Sequence, residues 1–244
     1  MPNLRRAALF AFAAPLALAV AACGDSAKEG LPTGEPIAHV AAPAGTSWVE
    51  SAAVTPEGGY VIGNPDAPLK LVEYASHSCG VCAAFSQEAA GPLDEYVASG
   101  VVSYEIRNQV HDAMDLTIAL LARCGSPQAF HPLANQAWGS FNEIMQNAQD
   151  ALQAAAQAPE PQRFQVIADT SGLLDFFAAR GISRDQAMQC LADTERAQSI
   201  VDASNSQSEE LGITGTPTFI LNGSKIEGTN WASVETALQN AGAR

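Results

Sequence analysis

With 244 residues, 47% of them hydrophobic, the chain can bury a substantial core and suits one domain, or one domain carrying an insertion. A formal net charge of −14 argues against nucleic acid as a partner, because phosphate backbones demand a basic surface. The acidity favours a soluble surface and says nothing about fold.

The chain opens with Arg5 and Arg6 followed by AALFAFAAPLALAV, the charged and apolar regions of an export signal. LAVAAC then resembles the lipobox of bacterial lipoproteins, which makes 1–22 the signal peptide and Cys23 the acylated first residue of the mature chain. The alternative is an ordinary cut at AVA that leaves Cys23 free. An uncleaved span is disfavoured, since the apolar run is short and contains Pro15. Cysteine arithmetic agrees with lipidation. Five cysteines are awkward in an oxidising compartment, whereas Cys79, Cys82, Cys124 and Cys190 are an even set. The expected location is therefore the periplasm, with the lipid bilayer held through Cys23.

Residues 23–55, rich in Ala, Gly, Pro and Ser without a period, read as a flexible tether. The globular part opens with a short strand in GGYVIG, then a buried strand in LKLVEYAS. A helix follows over CGVCAAFSQEAAGPLDEYVASG, and VVSYEIRN is a second core strand, so 69–107 reads as strand–helix–strand with a parallel pair. From 112 to 211 the periodicity is helical, with Ser183 as one cap. TPTFILNGSKIEG returns two strands around Asn222-Gly223, a strong hairpin signal, and WASVETALQNA closes as an amphipathic helix. This order is that of a thioredoxin fold (56–111 and 212–244), an α/β fold, with an all-helical insertion (112–211).

The pair in CGVC sits where strand becomes helix. Cys79 is then the helix N-cap, where free N–H groups and the helix dipole favour a thiolate. Cys82, one turn on, can attack a mixed disulfide on Cys79, which is what thiol–disulfide exchange needs. Zinc sites also use C-x-x-C but want four ligands. His77 makes a three-ligand copper or zinc carrier conceivable, and no metal is assigned. A structural staple is disfavoured, because so short a loop strains the bond. His77 either tunes Cys79 or is plain surface histidine, whereas His111 and His131 read as structural. Trp138, Phe141 and Met145 have core spacing.

VEYASHSCGVCAAF, the helical insertion and GITGTPTFILNG together resemble the DsbA-like disulfide-bond oxidoreductases over residues 60–242. The resemblance implies that Cys79 is the nucleophile, Cys82 the resolving thiol and Pro217 a cis-proline preceded by Thr216. It also implies that Glu73 is a buried acid shuttling the proton of Cys82, and that Cys124 and Cys190 form a second, non-catalytic disulfide. Glu73 on an exposed strand edge, and two buried free thiols, are the alternatives. No cofactor is implied. The implied partners are reduced exported proteins and a membrane redox partner that recycles the dithiol. One departure is Gly80-Val81, where the best-known oxidases have Pro-His. CGVC with Thr216 is closer to the disulfide isomerases, so an isomerase or reductase is the second reading. Those enzymes carry an N-terminal dimerisation domain for which residues 24–55 are too short, so a monomer is expected.

Overall fold

The computed structural model describes residues 34–244. The signal segment 1–22, Cys23 and the first part of the expected tether lie outside them. A 3₁₀ turn at Trp48–Glu50 leads into strands β1 (Ala52–Val54), β2 (Tyr60–Gly63) and β3 (Leu69–Ala75). Helix α1 (Gly80–Ala98) connects β3 to β4 (Val102–Asn108). A helical block follows: α2 (Ala113–Ala122), α3 (Pro127–Gly139), α4 (Phe141–Gln146), α5 (Ala148–Gln157), α6 (Arg163–Thr170), α7 (Leu173–Ala178), α8 (Arg184–Leu191) and α9 (Thr194–Leu211). Strands β5 (Thr218–Leu221) and β6 (Ser224–Lys225) and helix α10 (Trp231–Asn240) complete the chain.

The sheet runs β1-β2-β4-β3-β5-β6. β3 and β4 are parallel, with Leu71 opposite Tyr104 and Glu73 opposite Ile106, as a strand–helix–strand unit requires. β5 returns antiparallel on the other side of β3 and sets Phe219 opposite Glu73. Side chains alternate along a strand, so Leu71, Glu73, Tyr104, Ile106 and Phe219 share one face, and all are buried. The β5–β6 turn uses left-handed Asn222 (φ 48°) and Gly223 (φ 83°), as a two-residue hairpin demands.

The insertion does not stand apart from the sheet. Phe130, Trp138, Ile167 and Phe177 belong to the same buried cluster as Leu71, Phe85 and Phe219. Each such side chain contributes about 1.5–3 kcal/mol on burial. Cys124, just past α2, is disulfide-bonded to Cys190 in α8 with a Cα–Cα distance of 6.0 Å, within the usual range. Gln186 Nε2 donates to the Cys124 carbonyl at 2.9 Å across the same contact.

The expected tether ends too late in the sequence reading. Residues 34–54 are fastened to the domain: Ile37 N–H donates to the Gly242 carbonyl, Val40 N–H to the Ser99 carbonyl, and Trp48 Nε1 to the Val40 carbonyl. β1 then pairs antiparallel with β2. The strap crosses Gly100 (φ 72°), where a Cβ would lie 2.2 Å from the Val40 carbonyl oxygen. This segment holds on by main-chain bonds and a few single anchors, which leave no apolar period to read.

Candidate active site

Cys79 follows β3 and caps α1 in an extended conformation, φ −95° and ψ 113°. Its sulfur accepts the Cys82 N–H at 3.1 Å, so a helix-terminal donor that would otherwise go unpaired points at the atom that can carry negative charge. The Thr216 carbonyl oxygen lies 3.4 Å from the same sulfur, and the Thr216–Pro217 peptide is cis. The hydrogen bond from the Cys82 thiol is the largest influence holding Cys79 down to about 5. Burial opposes it; the Thr216 hydroxyl and the N–H groups of Cys82 and Val81 reinforce it. Cys82 is fully buried, and burial, its bond to Cys79 and the nearby Glu73 carboxylate push it far above an ordinary thiol. One sulfur is therefore ionised and reachable while its neighbour keeps its proton. Both are free thiols.

Glu73 stands behind the pair on the buried face of β3, only 1% exposed. That removes the exposed-edge alternative. Burial raises it to about 8; a hydrogen bond from the Tyr104 hydroxyl to Oε2 partly offsets this, and the Cys79 charge adds to it. Oε1 has no hydrogen-bond partner. Tyr104 also lines a cavity of about 290 Å³, together with Ser86, Asp94, His131 and Asn135. The lining is mixed, with Ile62, Phe85, Ala89 and Leu93 beside those polar groups.

His77 is not a surface residue. It is 2% exposed, stacks on Trp138 with ring centroids 4.9 Å apart, and its Nδ1 is 3.4 Å from Asn108 Nδ2 and 3.7 Å from Asp115 Oδ1. The insertion supplies Trp138, whose Nε1 donates to the Ser76 carbonyl at 3.0 Å, so this histidine is walled in by a residue 61 positions later in sequence. The histidine that reaches the site is His111, whose Nε2 is 3.3 Å from Thr216 Oγ1. Phe141 at the start of α4 borders Gly80, and Val81 beside the pair is half exposed. Among the described residues, no three His, Cys, Asp or Glu side chains converge as a metal ion would require.

A family model described as thioredoxin matches residues 55–240, most of the chain. The chain belongs to the thioredoxin family. Within that family it is similar to a solved structure described as a protein-disulfide isomerase from Novosphingobium aromaticivorans. The two are 30% identical with a TM-score of 0.69, over 74% of this chain and 95% of that one. Wolbachia pipientis alpha-DsbA1 shares the fold, at 22% identity and a TM-score of 0.59 over 74% of this chain and 88% of that one. A provisionally named protein-disulfide oxidoreductase of Rickettsia bellii is 25% identical over 187 residues, 76% of this chain. The match spans 65% of that relative's length. The thioredoxin-family domain with a helical insertion is thus the DsbA-like arrangement that the motifs imply. Among the described residues no helix is long and apolar enough to cross a membrane.

Two members of this thioredoxin-family site escape a reading of the sequence. Tyr104 becomes legible only with the register, since its pairing with Leu71 sets it on the face of Glu73, two residues along. His111 carries no periodic signal; the topology brings it to Thr216 from 105 residues away.

Proposed function

We propose that this protein is a thiol–disulfide oxidoreductase of the cell envelope that introduces disulfides into exported proteins. Cys79 is the nucleophile, Cys82 the resolving thiol and Glu73 its proton partner; Thr216 and Pro217 border the sulfurs. In the oxidised enzyme a substrate thiolate attacks Cys79 Sγ. A substrate–Cys79 bond forms, the Cys79–Cys82 bond breaks, and the departing Cys82 sulfur takes a proton, which Glu73 can supply. A second substrate thiolate then attacks the substrate sulfur and expels the Cys79 thiolate. Two electrons pass from the substrate dithiol to the enzyme. An envelope redox partner must remove them.

The observation that carries this reading is the asymmetry of the pair: Cys79 held at about 5 beside a buried, protonated Cys82. A stabilised thiolate favours the reduced enzyme, and a stable reduced form makes its disulfide an oxidant. The proposal includes export by the segment 1–22, acylation of Cys23 and a monomer that meets reduced exported proteins. The mass of the mature N-terminal peptide from cell envelopes tests acylation, and an unmodified Cys23 would remove the anchor.

A second reading, disulfide isomerase or reductase, is favoured by the name of the Novosphingobium relative. Rates of peptide-thiol oxidation and of scrambled multi-disulfide rescue distinguish the two. The oxidase reading expects the first to dominate. Cys79→Ser should abolish exchange and Cys82→Ser should accumulate mixed disulfides on Cys79. Full turnover in both variants would end the assignment.

A further inference from the structure

We propose that His111 is a positioning residue for the Cys79 thiolate, acting through the side-chain hydroxyl of Thr216. The inference rests on the reading of Cys79 as nucleophile. Gly80 and Val81 place no side-chain donor between the two sulfurs, so donors other than the helix N–H groups and Cys82 must come from elsewhere. The residue facing Cys79 across the site is Thr216, with its carbonyl oxygen 3.4 Å from the sulfur. Its hydroxyl is one of the hydrogen-bond partners that lower Cys79, and it lies 3.3 Å from His111 Nε2.

A hydroxyl has one hydrogen to give and two lone pairs to offer. When His111 Nε2 carries a hydrogen, it donates to Thr216 Oγ1, and the hydroxyl hydrogen is left for the sulfur. That arrangement stabilises a thiolate. When Nε2 is bare, it draws the hydroxyl hydrogen to itself, and the sulfur faces oxygen lone pairs, which favours a thiol. His111 therefore decides what Thr216 presents to Cys79. The backbone around it is anchored: His111 N–H donates to Asp115 Oδ2 at 2.9 Å, and Asp112 caps α2 by accepting the Asp115 N–H. The titratable groups packed about it are Asp112, the N-cap of α2, Asp115 within it and, across Thr216, Cys79, the N-cap of α1. Helix α9 meets the preceding residues through uncharged Ser204 and Ser208. The loop before β5 brings Thr214, Gly215 and Thr216.

His111 is exposed, so replacing it should leave the fold intact. The experiment equilibrates full-length parent, His111→Ala, Thr216→Val, the double variant and His111→Gln with glutathione buffers at pH 7. The Cys79 thiolate is titrated in parallel by absorbance. Removing the relay raises the Cys79 midpoint. One pH unit there moves the equilibrium about tenfold toward the oxidised protein, because the reduced form loses its advantage. A shift of about threefold to tenfold is expected for His111→Ala and for Thr216→Val. The double variant should shift no further than either single one, and His111→Gln, which keeps an N–H at similar reach, should stay near the parent. An effect of His111→Ala below twofold, or one fully additive with Thr216→Val, would overturn the relay. A parent that does not exchange with glutathione would instead sink the oxidoreductase reading, while the absorbance titration would still report on His111.

Discussion

Replacing Glu73 with Gln gives the sharpest thermodynamic test of the buried acid. Burial lifts Glu73 from 4.5 to about 8 in the folded protein, whereas the unfolded chain keeps an ordinary carboxyl. Between those values the folded state binds the extra proton, so stability falls as pH rises from about 4.5 toward 8. The cost is already about 1 kcal/mol at pH 5. At pH 7 it amounts to two and a half pH units at 1.36 kcal/mol each, about 3 kcal/mol, and it levels off above pH 8 near 5 kcal/mol. Gln is the isostere of the neutral form and does not titrate. Urea unfolding of the reduced parent and Glu73→Gln, followed by circular dichroism at pH 5 and pH 8, reads the difference directly. The ionisation of Cys79 is common to both proteins and cancels to first order. The variant should gain about 3–4 kcal/mol on the parent between the two pH values. A difference that stays constant across pH would mean that Glu73 is ionised in the fold or reaches water, and the proton role proposed for it would fall.

Two further outcomes follow from the same geometry. Tyr104→Phe removes the hydroxyl that donates to Glu73 Oε2 and opposes the effect of burial, so Glu73 should move still higher. The pH profile of mixed-disulfide release should shift upward with it, and an unchanged stopped-flow profile would disconnect Tyr104 from the acid. Replacing Cys124 and Cys190 together by Ala opens a 66-residue loop and should cost up to about 4 kcal/mol on the chain-entropy model. A lowered urea midpoint with Cys79 alkylation unchanged is expected, and an unmoved midpoint would show that the bond does not restrain the unfolded chain.

The parts of the molecule written in long apolar runs were legible. LKLVEYA and VSYEIRN could only be buried strands, the 19-residue helix between them made the pair parallel, and Asn222-Gly223 announced its hairpin. The cysteine pair was legible because a cap position and a spacing of one turn are local properties. What stayed hidden depends on contacts between distant segments. β1 is three residues long and half-exposed to exposed, with no pattern to distinguish it from linker. His77 looked reachable from its place beside CGVC, yet Trp138 and Asp115 enclose it from two helices of the insertion. His111 looked structural, and only the approach of the loop before β5 gives it a partner in the site.

Everything in the proposed chemistry depends on the charge state of one sulfur. Absorbance of the reduced protein at the thiolate band, titrated against pH with Cys79→Ser as the blank, measures it without any substrate. A midpoint near 5 for Cys79, with no second transition from Cys82 up to pH 9, is the predicted result. A midpoint near 9, the ordinary thiol value, would contradict the account, because position 79 would then hold no thiolate at neutral pH.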